Sequence, residues 1–209
     1  MESIAPEKLT RKTKSLPQLL TQRVQQTPDR EAYRYPVGHG WRSMTWRQAG
    51  ERVKAIAAGL LSLGLHREER VGILSNTRVD WLLCDLGILC AGGATTTVYP
   101  SSTPEDCAFI LADSDTRYIF VEDGSQVSKL RAHKAELPKL GKLILLDGAP
   151  EAKDGEWVMT LADLEAKGAE LLAKDPRAVD DVVTGVEGNH LATLIYTSGT
   201  TGKPKGVRL

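Results

Sequence analysis

Three cysteines, Cys84, Cys90 and Cys107, and four scattered histidines, His39, His66, His133 and His190, are all that this 209-residue sequence holds of the usual disulfide-forming and zinc-binding side chains. An odd cysteine count without C-x-x-C spacing gives no disulfide framework, and histidines so far apart give no zinc site. Charge of either sign is not in excess. With 27 basic and 27 acidic residues, no net basic field draws the chain to nucleic acid or to an anionic bilayer. Long apolar runs are missing too: residues 81–98 are broken by Asp85 and by Gly92-Gly93, and read as a buried helix followed by a strand rather than a membrane span. The basic start, with Lys8, Arg11, Lys12 and Lys14, leads into no apolar h-region. It reads as a polar tail over residues 1–14, capable at most of peripheral membrane contact, and the default compartment is the cytosol. G-x-G-x-x-G is absent, which removes the simplest dinucleotide-binding reading, and no internal repeat is visible.

What is present is an alternation of helix and strand. Ser15-Leu16-Pro17-Gln18 has the form of a capping box with Pro in the first turn, and Leu16, Leu19, Leu20 and Val24 share one face of the helix that follows. Residues 32–35 and 41–45 read as two short strands around a turn. Thr45 to Gln48 repeats the capping-box pattern and opens a helix with Ala49, Val53, Ile56, Ala57 and Leu60 on one face, closed by Gly64. Trp46 and Trp81, at helix starts, read as packing residues. From Arg70 onward the spacing predicts strands over 70–75, 94–98, 117–121, 142–146 and 191–197. Helices are predicted over 78–91, 104–112 with Thr103 as cap, 126–135 and 161–172. Residues 149–157 and 174–189 are polar and aperiodic, and read as surface connections. Strands separated by helical segments imply right-handed crossovers, hence an α/β fold with a mainly parallel sheet and helices on both faces.

The most informative stretch is Tyr196-Thr197-Ser198-Gly199-Thr200-Thr201-Gly202-Lys203-Pro204-Lys205-Gly206, which leaves the end of the last predicted strand. Ligands of open parallel sheets bind beyond the carboxyl ends of strands. Three glycines let successive N–H groups face one concave side, a fixed partial positive charge for an anion. The hydroxyls of Thr197, Ser198, Thr200 and Thr201 can donate to phosphate oxygens, and Lys203 and Lys205 add positive charge. The kinase-type loop G-x-x-x-x-G-K-[ST] is excluded, because Thr197 and Pro204 hold two of its required positions. Anchored on one strand and close to the last residue, this loop is expected to be mobile.

In its full order, Y-T-S-G-T-T-G-K-P-K-G resembles the phosphate-binding loop of the adenylate-forming superfamily. The helix around Gly59 that closes on Gly64 and the segment Glu68-Glu69-Arg70-Val71 resemble the same superfamily, while the run from Ser75 to Trp81, Ala91-Gly92-Gly93-Ala94 and Tyr99-Pro100-Ser101-Ser102-Thr103-Pro104-Glu105 resemble its long-chain fatty acyl-CoA synthetases. So does Ala112-Asp113-Ser114-Asp115. Members usually have G-D-R-V where Glu68-Glu69-Arg70-Val71 stands. The resemblance implies that residues 15–209, with a sheet core from about residue 70, are part of the large domain of such an enzyme, ending just after the phosphate loop. It implies ATP, Mg²⁺ and coenzyme A as cofactors, a fatty acid as substrate, and Thr197, Ser198, Gly199, Thr200, Thr201, Gly202 and Lys203 as the ATP-binding residues. No catalytic residue or metal ligand is assigned within this stretch, because the family's other motifs follow the loop. Two alternatives stay open: an adenylating ligase for aryl acids, amino acids or carrier proteins, and a non-catalytic binding protein of the same fold.

Overall fold

The computed structural model describes residues 13–197 and 204–209. Helix α1 (Leu16–Gln26) starts with Pro17 in its first turn and buries Leu20. Its expected capping box does not form, and Ser15 makes no side-chain cap bond. Gln18 is engaged elsewhere: its Oε1 accepts from the Lys14 N–H, and its Nε2 donates to the carbonyls of Val183 and Val186 at 3.3 and 3.2 Å. A tertiary contact has displaced the local one.

Strands β1 (Glu31–Val37) and β2 (Gly40–Thr45) form an antiparallel hairpin, turning at Gly38 with φ +57°. Helix α2 (Trp46–Ser62) has both halves of the Thr45–Gln48 capping box and buries Ala49, Val53, Ile56, Ala57 and Leu60, as its periodicity predicts. Trp46 packs 5.9 Å from Tyr33, centroid to centroid. The chain then runs β3 (Arg70–Leu74), α3 (Val79–Cys90), β4 (Ala94–Val98), α4 (Pro104–Asp113), β5 (Tyr118–Val121), α5 (Gly124–Ala132), β6 (Lys142–Leu145), β7 (Val158–Thr160), α6 (Leu161–Lys174), α7 (Ala178–Thr184), β8 (Thr193–Thr197) and β9 (Lys205–Arg208).

The seven-stranded sheet has the order β7-β6-β5-β3-β4-β8-β9. Its pairings are parallel from β7 to β8, and β9 adds antiparallel to β8. The chain builds outward from β3 to β4, returns past β3 to β5, and so makes a topological switch between β3 and β5. Strand alternation divides the core. Val71, Ile73, Tyr118, Phe120 and Ile144 join a cluster with α1, α2, α3, α6 and α7, whereas Leu74, Ile119, Val121, Leu143 and Leu145 join one with α4 and α5. Helices therefore cover both faces, as expected for a sheet of this kind.

Three expectations are corrected. Residues 174–189 are not only a connection: they contain α7, which buries Val179 and Val183, a spacing hidden by the adjacent Asp180 and Asp181. Residues 149–157 include the 3-10 turn Ala152–Trp157, which leads into β7, a strand too short for periodicity to reveal. The helix expected over 126–135 starts earlier, where Asp123 caps the N–H groups of Ser125 and Gln126, and ends at Ala132 before the separate turn Lys134–Glu136.

Helices α2 and α6 approach so closely that side chains do not fit between them. A Cβ on Gly168 would lie 2.0 Å from the Ala55 carbonyl oxygen, and one on Gly59 would lie 2.4 Å from that of Leu164. Both obstacles are backbone. Gly168→Ala should therefore force the helices apart and cost at least ~1–3 kcal/mol of stability. Urea unfolding of the variant tests this, and an unchanged midpoint would refute it.

Candidate functional site

The edge of the sheet that carries the predicted loop is held on two strands. Strand β8 lies against β4, pairing Thr95 with Thr193 and Thr97 with Ile195, and the Thr193 hydroxyl donates to the Thr95 carbonyl at 2.9 Å. Strand β9 returns antiparallel and pairs Tyr196 with Gly206 and Thr197 with Lys205. Beyond β9 the Leu209 N–H donates to the Thr193 carbonyl at 3.0 Å, and the Leu209 carbonyl accepts from Ala192 at 2.9 Å. The expectation of a loop anchored on one strand is thereby corrected. A short strand with the sequence Lys205-Gly206-Val207-Arg208 gives little apolar alternation, and so was not legible as one.

Of the predicted site residues, Thr197 is described. It ends β8, exposed, with Lys205 directly across the ladder. Ser198, Gly199, Thr200, Thr201, Gly202 and Lys203 lie outside the described residues. The hairpin base therefore places one hydroxyl and one ammonium together at the carboxyl end of a strand, a pair that suits an anion.

Tyr196 explains the glycine across from it. A Cβ on Gly206 would lie 3.0 Å from the Tyr196 ring carbon Cζ, so the ring is laid across the partner strand. Its hydroxyl donates to Asp113 Oδ2 at 2.6 Å, tying the site edge to the end of α4. Burial, reinforced by the bond to and the charge of Asp113, pushes the phenol above its ordinary range. On the other face the Thr95 hydroxyl donates to Asp85 Oδ1 at 2.6 Å; burial pushes that carboxyl up and the Thr95 bond offsets part of the rise.

The neighbouring strand ends complete the rim. After β3, the backbone N–H and side-chain amide of Asn76 both donate to Glu122 Oε2 at 2.8 Å. After β4, Tyr99 is 76% exposed. Between these two ends lies a cavity of about 300 Å³ bordered by Ser75, Asn76, Trp81, Thr97, Tyr99 and Pro100, with no charged residue in its lining among the described residues. Nor do the described residues contain a group of three or more His, Cys, Asp or Glu arranged to hold a metal ion. Sequence reasoning assigned no role to Glu122 or to Asn76; their signals were their place after predicted strands and, for Asn76, its place in the run from Ser75 to Trp81 that carries part of the resemblance.

The fold is shared with adenylate-forming ligases. The anthranilate CoA ligase AuaEII, solved with anthranoyl-AMP, superimposes with a TM-score of 0.69 at 20% identity, over 92% of this chain and 34% of that one. The fatty acyl-adenylate ligase from L. pneumophila, solved with acyl adenylate and pyrophosphate, does so with a TM-score of 0.68 at 21% identity, over 99% of this chain and 32% of that one. Residues 20–209 match the family profile described as AMP-binding enzyme, and the chain belongs to that family. Among relatives, it is 33% identical over 183 residues to the long-chain-fatty-acid–CoA ligase FadD15 of Mycobacterium tuberculosis, spanning 87% of this chain and 29% of that protein. It is 35% identical over 178 residues to the long-chain-fatty-acid–CoA ligase heimdall of Drosophila melanogaster, spanning 81% of this chain and 25% of that protein.

The Tyr196–Asp113 bond makes a stability prediction with a defined sign. A phenol whose pKa is raised on folding contributes stability that is fully present below its unfolded value of about 10 and is lost as pH rises through the folded value. Tyr196→Phe should cost about 1 kcal/mol at pH 7, and the gap to wild type should close at strongly alkaline pH. Thermal melts across pH 7–11.5 check this; equal melting at pH 7 would contradict it.

Proposed function

We propose that this chain is part of an ATP-dependent acyl-CoA ligase that activates a long-chain fatty acid. The carboxylate attacks the α-phosphate of ATP, pyrophosphate leaves, and acyl-AMP forms; the thiol of coenzyme A then attacks the acyl carbon and expels AMP. The observation that carries this reading is the hairpin at the sheet edge, whose two strands hold the ends of a glycine-, hydroxyl- and lysine-rich loop. In this reading Thr197, Ser198, Gly199, Thr200, Thr201, Gly202 and Lys203 bind the β- and γ-phosphates, restrain ATP in line with the attacking oxygen and stabilise the departing charge. Mg²⁺ would arrive with the phosphates and neutralise part of their charge. The names of the relatives at 33 and 35% identity favour a long-chain fatty acid as the substrate.

We assign the segment to the large domain of the ligase, with residues 1–14 as a tail, and place the enzyme in the cytoplasm with at most peripheral membrane contact. Among the described residues no helix is long and apolar enough to cross a membrane.

Exchange of labelled pyrophosphate into ATP by the full-length protein, dependent on a fatty acid, is the expected result. Exchange driven by an aryl or amino acid instead would move the protein to another branch of the family, and none with any acid would end the ligase reading. Replacing Lys203 by Ala should lower turnover by about tenfold to a thousandfold, ~1.4 to 4 kcal/mol of lost stabilisation; unchanged kinetics would remove the loop from the rate-limiting step.

The 209-residue chain by itself should be catalytically silent and bind Mg·ATP no better than roughly millimolar, about −4 kcal/mol. The loop contacts phosphates, and the resemblance puts the adenine and ribose walls in later segments. Calorimetry decides this, and a low-micromolar dissociation constant would show a complete nucleotide site in this chain.

A further inference from the structure

Two turns border the uncharged cavity at the sheet rim, and the β5–α5 segment reaches both. Glu122, directly after β5, takes both donors of Asn76 on one carboxylate oxygen and holds the chain as it leaves β3. Lys129, on α5, donates to the carbonyls of Pro100 and Ser102, the latter at 3.1 Å, and holds the chain as it leaves β4. Within itself the second turn has the bond from the Ser102 N–H to the Tyr99 carbonyl at 2.9 Å, while Pro100 has no N–H to contribute. An ammonium is strongly hydrated, so a part-buried one facing two main-chain carbonyls has exchanged water for them and holds them in a fixed relation.

The position of this turn matters to the site. Thr97 pairs beside Ile195, so Tyr99 and Thr197 each stand two residues further along adjacent strands at the same rim. A shift of the β4–α4 turn moves Tyr99 and Pro100 relative to both the cavity and the base of the phosphate loop.

We propose that Glu122 and Lys129 are positioning residues that together set the width of this cavity. The proposal rests on the ligase reading, and the cavity's uncharged lining assigns it to an uncharged portion of an organic substrate, not to the triphosphate. Neither side chain touches the reacting atoms; each acts through the turn that it holds.

The test is Lys129→Met, which keeps the stem and removes the ammonium, beside Lys129→Arg, which can still donate to both carbonyls. Both are compared with wild type in the full-length protein. Hydrogen exchange at Ser102 and its neighbours should quicken by about tenfold in the Met variant, with β3 unchanged. The KM for the acid or the thiol should rise by roughly five- to twentyfold while that for ATP stays within about twofold, and Arg should restore both readouts. Glu122→Gln should quicken exchange at Asn76 in the same way. Unchanged exchange at residues 99–103, or KM values for acid and thiol that do not move in an active enzyme, would overturn the proposal. If the wild-type protein shows no acid-dependent activity, the ligase reading falls, and the exchange measurement alone decides whether Lys129 positions the turn.

Discussion

The crossing of α2 and α6 is the contact on which the rest of the molecule depends. Where Gly168 faces the Ala55 carbonyl and Gly59 faces Leu164, backbone meets backbone, and a Cβ at either glycine would require the helices to move apart. That approach sets how α2 lies on the sheet, and α2 in turn presents Arg52 to two other helices. The guanidinium meets Asp80 of α3 at 3.1 Å and Glu165 of α6 at 2.9 Å. Asp80 also accepts from Arg78, which continues to Asp147 after β6. Such half-buried pairs contribute modestly to stability one at a time, but as a network they resist sliding of one helix over another. The two glycines set the distance and the charges set the register.

At the other end of the sheet, different physics governs. Strands β3, β5 and β6 lie between two helical layers and are mostly apolar, with Val71, Ile73, Leu74, Tyr118 to Val121 and Leu143 to Leu145 all buried, as a doubly covered parallel strand requires. Strands β4 and β8 carry threonines, and β8 a tyrosine, and they use side-chain hydrogen bonds where β3, β5 and β6 use packing: Thr193 to the Thr95 backbone, Thr95 to Asp85, Tyr196 to Asp113. The sheet thus changes from an apolar interior to a polar margin within two strands, and Thr197 and Lys205 stand on that margin.

How much of this was legible depended on whether local or distant groups decide a position. The Thr45–Gln48 box, the Thr103 cap ahead of Pro104 and the glycine after α2 are satisfied within a few residues, and all formed as read. Gln18 has the same local pattern, but carbonyls in the last turn of α7 and just after it compete for it and win. Helix α7 escaped notice because seven residues with two adjacent aspartates give a weak period. Strand β9 owes its existence to the ladder on β8 rather than to its own residues. At the site, the pairing of Thr197 with Lys205 depends on β9, and the clasp of Glu122 on Asn76 joins positions that only the β3–β5 pairing brings together, so neither was legible in the sequence.

The distance along the chain between β4 and β8 governs the order in which the molecule assembles. Thr95 and Thr193, bonded across these strands, are 98 residues apart, whereas β3, β4 and β5 are joined by single crossovers. Contacts that close a long loop form late, because the entropy of closure is lost before the contact is gained. The inner sheet can therefore collapse as a nucleus of local units while β8 and β9 add afterwards as one hairpin. Run in reverse, the same order makes this hairpin the first element of the sheet to detach. The margin that carries the loop is then the least cooperative part of a rigid scaffold, able to open and close without the core unfolding.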